Sequence, residues 1–239
     1  MVRYPEQFDS LLLWIAEYSK MAEKNIKRRE EILTTAYRLL GEKHYDHVSL
    51  SDIAKGAGIN KSLLQHYYGQ KIDIVKAMLT EMLETASAYM DRLPYKDEEI
   101  FQQISDFNML FFKGAAANYS LRMFIRASVM HNECLDIWVD TICDWLRRYC
   151  GENTFSYLEL KRAICFAMGG SMHLYLHQDE LDIDYRRICR RHIWTILHFL
   201  HYEEAAIGKI LATTDERIEK EDAQQYLQYC AENIPWLNL

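Results

Sequence analysis

Between Leu50 and Tyr67 the sequence meets a narrow geometric condition. A small residue, Ala54, stands four positions before a glycine, Gly58, and Ile53, Ala57, Ile59, Leu64 and Tyr67 are apolar around them. Two short helices crossing at a steep angle need a small residue where they touch. They also need a turn residue that tolerates positive φ, and apolar side chains pointing into the angle. An Ala/Gly pair at this spacing is common by itself, but the seven positions together specify a helix-turn-helix. Its ends are marked as well. Ser49 suits the N-cap of a helix starting at Leu50, with Asp52 in the place of a capping-box acid, and Asn60 suits the cap of the second helix.

Helical spacing continues on both sides. Ile32, Ala36, Leu39 and Leu40 form the buried stripe of a helix that stops near residues 41–44, with Leu33 and Tyr37 at its edges. A short amphipathic helix is expected earlier, at 6–19, from Phe8, Leu11, Leu12, Ile15 and Tyr18, capped by Asp9 or Ser10. A long helix follows the motif from Gln70 to about Met90, with Pro94 closing it. Further helices are expected at about 97–116, 119–130, 133–150, 155–178, 182–204 and 214–231, with Gly114, Gly151 and Gly208 at or near the joints. The chain has only three prolines and nine glycines, and no convincing strand alternation. The expected fold is all-α. An N-terminal extension covers 1–25, a three-helix helix-turn-helix domain covers 26–72, and a larger helical body covers 73–239.

The net charge of −7 looks wrong for a nucleic-acid binder, but the charge is unevenly spread. From Lys24 to Lys76 ten Lys and Arg face six Asp and Glu, a balance of +4. The remainder sets 18 bases against 29 acids, a balance of −11. A small basic module on an acidic body suits a protein that offers one end to phosphate. The six cysteines form no Cys-x-x-Cys pair and read as reduced core thiols. No apolar run approaches the ~20 residues of a membrane span. A cytoplasmic location with no membrane contact is therefore expected.

Residues 31–79 resemble the DNA-binding domain of the TetR family of transcription regulators. The likeness runs through Glu31-Ile32-Leu33-Thr34-Thr35-Ala36-Tyr37-Arg38-Leu39-Leu40 and Tyr45-Asp46-His47-Val48-Ser49. It continues in Asp52-Ile53-Ala54-Lys55-Gly56-Ala57-Gly58-Ile59, Asn60-Lys61-Ser62-Leu63-Leu64 and Tyr67-Tyr68-Gly69-Gln70-Lys71. Three positions depart from the family pattern. His44 stands where Gly is usual at the corner, and is expected to tolerate a left-handed conformation there. Gln65 replaces a Tyr that touches the DNA backbone, and Tyr68 replaces a Phe.

The resemblance implies a dimer that binds a palindromic operator and answers to a small-molecule inducer. It places Lys61, Ser62 and Leu63 in the major groove, with Gln65 and His66 exposed beside them. Tyr67 would reach a phosphate, and Ser49 and Lys71 would hold phosphates at helix N-termini. Core packing is an equal reading of Tyr67 and Tyr68. Lys24, Lys27, Arg28 and Arg29 are either a basic arm or a solvated helix start.

In the body, Phe111, Met123, Trp138, Phe166, Met172 and Tyr175 are candidates for an inducer pocket, against the plainer reading of ordinary core. His173 and His177, four apart, have zinc-compatible spacing, but a complete ligand set is not evident, and no cofactor or metal is expected. Helices 155–178 and 182–204 are the expected homodimer interface, with Gly169-Gly170-Ser171 allowing close approach. Two rival readings remain. Gln65 and the net charge suit a protein-interaction module on the same fold that has lost DNA reading. An enzyme is disfavoured, because no nucleophile–base set or Gly-rich phosphate loop stands out.

Overall fold

A computed structural model describes residues 6–94, 100–150 and 156–237. Among these residues all regular structure is helical. The elements are α1 (Glu6–Glu42), α2 (Leu50–Gly56), α3 (Lys61–Tyr67), α4 (Lys71–Met90), α5 (Ile100–Ala117) and α6 (Tyr119–Val129). They continue as α7 (Asn132–Cys150), α8 (Tyr157–Leu176), α9 (Tyr185–Phe199), α10 (Glu204–Lys220) and α11 (Ala223–Asn233). A single 3₁₀ turn, Tyr45–His47, joins α1 to α2.

The head is built from the C-terminal half of α1 with α2 and α3. Ile32, Ala36, Leu39 and Leu40 are buried against Ile53 and Leu64, the stripe and wedge anticipated from spacing. Local chemistry then fixes the ends. The Ser49 hydroxyl accepts from the Asp52 N–H at 3.1 Å while the Asp52 carboxylate accepts from the Ser49 N–H at 2.9 Å, a capping box at the start of α2. Gly58 takes φ +65° in the turn, where a Cβ would be strained. The Asn60 carboxamide oxygen accepts from the Leu63 N–H at 2.8 Å and caps α3. His44 does not use the left-handed region. Its φ of −58° and ψ of 147° are extended, so the corner is turned by the 3₁₀ segment after it.

The structure changes the expected element list in three places. The helix at 6–19 and the basic stretch after it are one continuous helix with the head's first helix, some 55 Å long, so Asp9 and Ser10 lie inside α1 rather than at a cap. The apolar stripe expected from Phe8 to Tyr18 and the joint at Gly151 lie outside the described side chains and residues. Gly208 sits inside α10 rather than at a joint, and the single helix expected at 214–231 is replaced by α10 and α11. Gly114 lies in the last turn of α5, near the joint with α6 as expected, and a Cβ there would meet the Tyr226 ring at 2.8 Å.

In the body α5 is the central element, in contact with α9, α10, α11, α4 and α6. A buried polar cluster joins it to α10. Asp106 accepts from Gln102 at 2.9 Å, from Thr214 at 2.7 Å and from the Arg217 guanidinium at 3.1 Å. Burial pushes the Asp106 carboxyl up, against the pull of those three donors. Head and body meet along α1 and α6, and at the C-terminal segment after α11. There Ile234, Trp236 and Leu237 are buried, the Trp236 indole N–H donates to the Glu81 carboxylate of α4, and its ring lies 5.7 Å from Tyr37 of α1. Tyr37 in turn lies 5.4 Å from Phe124 of α6, so three aromatic rings close the seam.

Candidate nucleic-acid interface and body cavity

The α3 helix is held by its buried side. Leu64 is fully buried in the head, while Lys61, Ser62, Leu63, Gln65 and His66 all face solvent. That exposed row on a short, capped helix comprises the residues to which the resemblance assigned groove reading. Leu63 stays 38% exposed, which is unusual for a leucine beside a packed core and suits apolar contact with a base edge. Tyr67 is half-buried, and its hydroxyl donates to the Asn25 side-chain oxygen of α1 at 2.8 Å. Tyr68 is core: its hydroxyl accepts from Arg29 at 3.3 Å and its ring is buried.

Two expected phosphate anchors are occupied from within. The Ser49 hydroxyl donates to the Asp52 carboxylate at 2.6 Å, so the anion already at the N-terminus of α2 is Asp52. That arrangement holds the Asp52 carboxyl below its usual range. Lys71 points inward: its ammonium donates to the Tyr45 carbonyl at 2.6 Å and the Val48 carbonyl at 2.7 Å and lies 3.6 Å from the Tyr45 ring centroid. Burial pushes the Lys71 ammonium down from its ordinary value. It is a strut between the corner after α1 and the start of α4. A surface lysine and this strut look alike in sequence, because the partner carbonyls belong to the 3₁₀ corner.

The basic stretch divides. Arg28 pairs with Glu31 at 2.6 Å and donates to the Ala57 carbonyl at 3.4 Å, while Arg29 reaches Tyr68 and Glu81. Arg28 is drawn partly into the head, whereas Arg29, Lys24 and Lys27 remain exposed on α1. The stretch is part of a helix, not a loose arm.

In the body, Phe107, Phe111, Phe112, Trp138, Trp145 and Tyr175 surround a cavity of about 40 Å³, with Leu83 of α4, Met172 of α8 and His192 of α9 also in its wall. Phe111, Trp138, Met172 and Tyr175 are where the sequence placed them. Two others are not. Met123 lines a separate surface groove beside α1, and Phe166 is 65% exposed, its ring tilted against Phe199 at 4.8 Å. Trp145 and His192 were missed as wall residues; their helical spacing is that of ordinary core. Among the described residues no Asp, Glu, Lys or Arg lines the cavity. Its polar groups are few. Asn108 donates to the Ile104 carbonyl at 2.8 Å, and His192 Nδ1 lies 3.2 Å from the Ser171 hydroxyl. Burial pushes His192 down to about 4, so it is neutral, and pushes the Tyr175 hydroxyl up. The Tyr175 hydroxyl is buried and has no partner among the described residues.

The α8 and α9 helices are the most extensively paired in the body, and their outer side is open. Leu158, Phe166 and Phe199 are exposed there, and a Cβ on Gly169 or Gly170 would meet nothing within 4 Å. The His173 and His177 rings lie tilted to one another with centroids 4.6 Å apart, and His177 pairs with Glu180 at 3.0 Å. Among the described residues no group of three or more side chains gathers to hold a metal. No helix among them is long and apolar enough to cross a membrane.

Comparison with known proteins follows this geometry. Residues 32–78 match the family described as bacterial regulatory proteins, tetR family. The HTH-type transcriptional regulator EthR of Mycolicibacterium smegmatis is 33% identical over 64 residues, covering 27% of this chain and 30% of that relative. The chain thus matches under a third of that regulator's length. Three solved structures share the fold at low identity. RolR in complex with resorcinol aligns with a TM-score of 0.54 at 14% identity, over 80% of this chain and 95% of RolR. FadR of Thermus thermophilus, a repressor in complex with lauroyl-CoA, gives 0.50 at 15% identity over 74% and 96%. TylP of Streptomyces fradiae gives 0.51 at 16% identity over 85% and 95%.

Proposed function

We propose that this chain, whose N-terminal head is a DNA-binding domain of the tetR family, is a dimeric transcription regulator that releases or takes up a palindromic operator in response to a small molecule. The observation that carries the reading is the path of α4. At its start Lys71 clasps the corner of the head, and twelve residues further along Leu83 forms part of the cavity wall. At 1.5 Å per residue the two ends lie roughly 18 Å apart on one rigid rod. A ligand that displaces Leu83 therefore acts on the head through a single helix. For such a ligand to switch DNA binding it must prefer one of two head positions over the other.

Dimerisation follows from the reading of DNA. One seven-residue recognition helix contacts too few bases to be specific. Two heads about 34–36 Å apart would meet successive major grooves of a palindrome. The open face of α8 and α9, with Leu158, Phe166, Phe199 and the Gly169–Gly170 pair, is the surface on which a second copy is proposed to sit. RolR and FadR, whose fold is similar, were solved with resorcinol and lauroyl-CoA respectively. That precedent supports a ligand in the body cavity here, in a cytoplasmic protein.

The test is capture and sequencing of genomic fragments by the purified full-length protein at moderate salt, with Lys61→Ala as control. One palindromic site, lost in the control, is the expected result. Diffuse, salt-sensitive retention with no common site would overturn the reading and favour a protein partner for the head.

A further inference from the structure

Resting on the ligand-responsive reading, we infer that the body cavity takes an uncharged, single-ring aromatic molecule carrying a hydroxyl group.

Charge comes first. Among the described residues no ionisable carboxylate, ammonium or guanidinium lines the cavity, and its one imidazole is held neutral by burial. A carboxylate or phosphate on the ligand would be buried without a counterion, which is strongly unfavourable. Arg122 and Arg126, whose charges act on the Tyr175 hydroxyl, lie outside the wall, and Arg126 is committed to the Leu176 carbonyl at 2.8 Å.

Size is the second constraint. The cavity holds about 40 Å³. Apolar protein cavities that admit a benzene ring measure on the order of 150 Å³. One ring already requires the wall to give, and a long acyl chain requires far more. The wall also has the right shape. Phe111 meets Trp138 edge-on at 6.2 Å, Phe112 meets Tyr175 edge-on at 6.1 Å, and Phe107 lies against Trp145 at 4.7 Å. A flat ring extends such an edge-to-face array, whereas a flexible chain does not.

The polar end is set by Tyr175. Tyr175 is part of the cavity wall, and its buried hydroxyl has no partner among the described residues, a state that native structures rarely leave unexplained. Asn108, also in the wall, gives one amide N–H to the Ile104 carbonyl, which leaves its other N–H and its amide oxygen. A ligand hydroxyl both donates and accepts, so it can pair with either residue.

The experiment is calorimetric titration of the full-length protein with phenol, toluene, benzoate and laurate, repeated on Tyr175→Phe. Toluene matches phenol in shape and is the more hydrophobic, so burial alone favours it. The expected result is phenol at least fivefold tighter than toluene, and at least tenfold tighter than benzoate and laurate. Tyr175→Phe should then reverse the order of phenol and toluene while still binding toluene, which shows that the variant is folded. Equal binding of phenol and toluene, preference for either acid, an unchanged order in Tyr175→Phe, or no binding of phenol would each overturn the assignment. No DNA enters the measurement. Operator capture without phenol binding sinks this assignment and leaves the regulator reading intact, and phenol binding without operator capture does the opposite.

Discussion

The Lys71 ammonium sits 3.6 Å from the centre of the Tyr45 ring and bonds the carbonyls of Tyr45 and Val48. Those contacts predict a stability effect for a residue that its position marks as a DNA contact. Charge-assisted hydrogen bonds are worth roughly 1.5–3 kcal/mol, and the ring adds about 0.5–1 kcal/mol. Lys71→Ala should lower the urea midpoint of the DNA-free protein by an amount equivalent to about 2 kcal/mol. An unchanged midpoint with uniformly weaker DNA binding would show that Lys71 holds a phosphate after all.

Lys61 should behave in the opposite way. It is exposed at the start of α3. Lys61→Ala is expected to leave stability within about 0.5 kcal/mol and to weaken operator binding. If it contacts phosphate, the slope of log affinity against log salt should shrink by about 1. Filter binding at four or five salt concentrations decides this.

His192 predicts a pH dependence. The ring is buried and neutral, and burial pushes it down to about 4, whereas in an unfolded chain it titrates near its ordinary 6.5. Below about pH 6.5 the unfolded chain takes up a proton that the folded chain refuses. The stability due to neutral His192 is therefore complete above that pH and falls away toward pH 4, by up to about 3 kcal/mol. His192→Gln should flatten the wild-type curve between pH 6.5 and 4. Parallel curves for the two proteins would count against the buried neutral ring.

The glycines divide by what surrounds them. A Cβ at Gly114 would meet two atoms of the buried Tyr226 ring at 2.8 Å. Gly114→Ala should cost about 1–3 kcal/mol of stability through overpacking, visible as a lowered melting temperature. Gly169 and Gly170 have open space around them. Alanine there should leave the protomer as stable or up to about 1 kcal/mol more stable, yet weaken self-association in sedimentation. A dimer untouched by both substitutions would move the proposed interface elsewhere.

The features legible in sequence were those set by near neighbours. Ser49 with Asp52, Gly58 and Asn60 do their work within four residues, and each stands where the pattern put it. The stripe of Ile32, Ala36, Leu39 and Leu40 is legible because one helical face is buried. What escaped depends on distant partners. Gly114 is small because Tyr226 packs on it, and Gly208 is simply a helical residue with nothing near. Phe166 and Met172 share one helix and similar apolarity, but only one turns toward the cavity. Lys71 bonds the Tyr45 and Val48 carbonyls, more than twenty positions away, and nothing in its own neighbourhood announces that pairing.

The seam at Trp236 has a consequence for how the protein is made. The indole reaches Glu81 across 155 positions of sequence, and it packs on Tyr37, which is earlier still. During synthesis the head emerges first and can fold its own three helices. It can meet the body along α6 at once, but the part of the joint made by Trp236 forms only after residues 234–237 have cleared the ribosome. A polypeptide fused directly after this segment would press on the joint between head and body rather than trail harmlessly behind it.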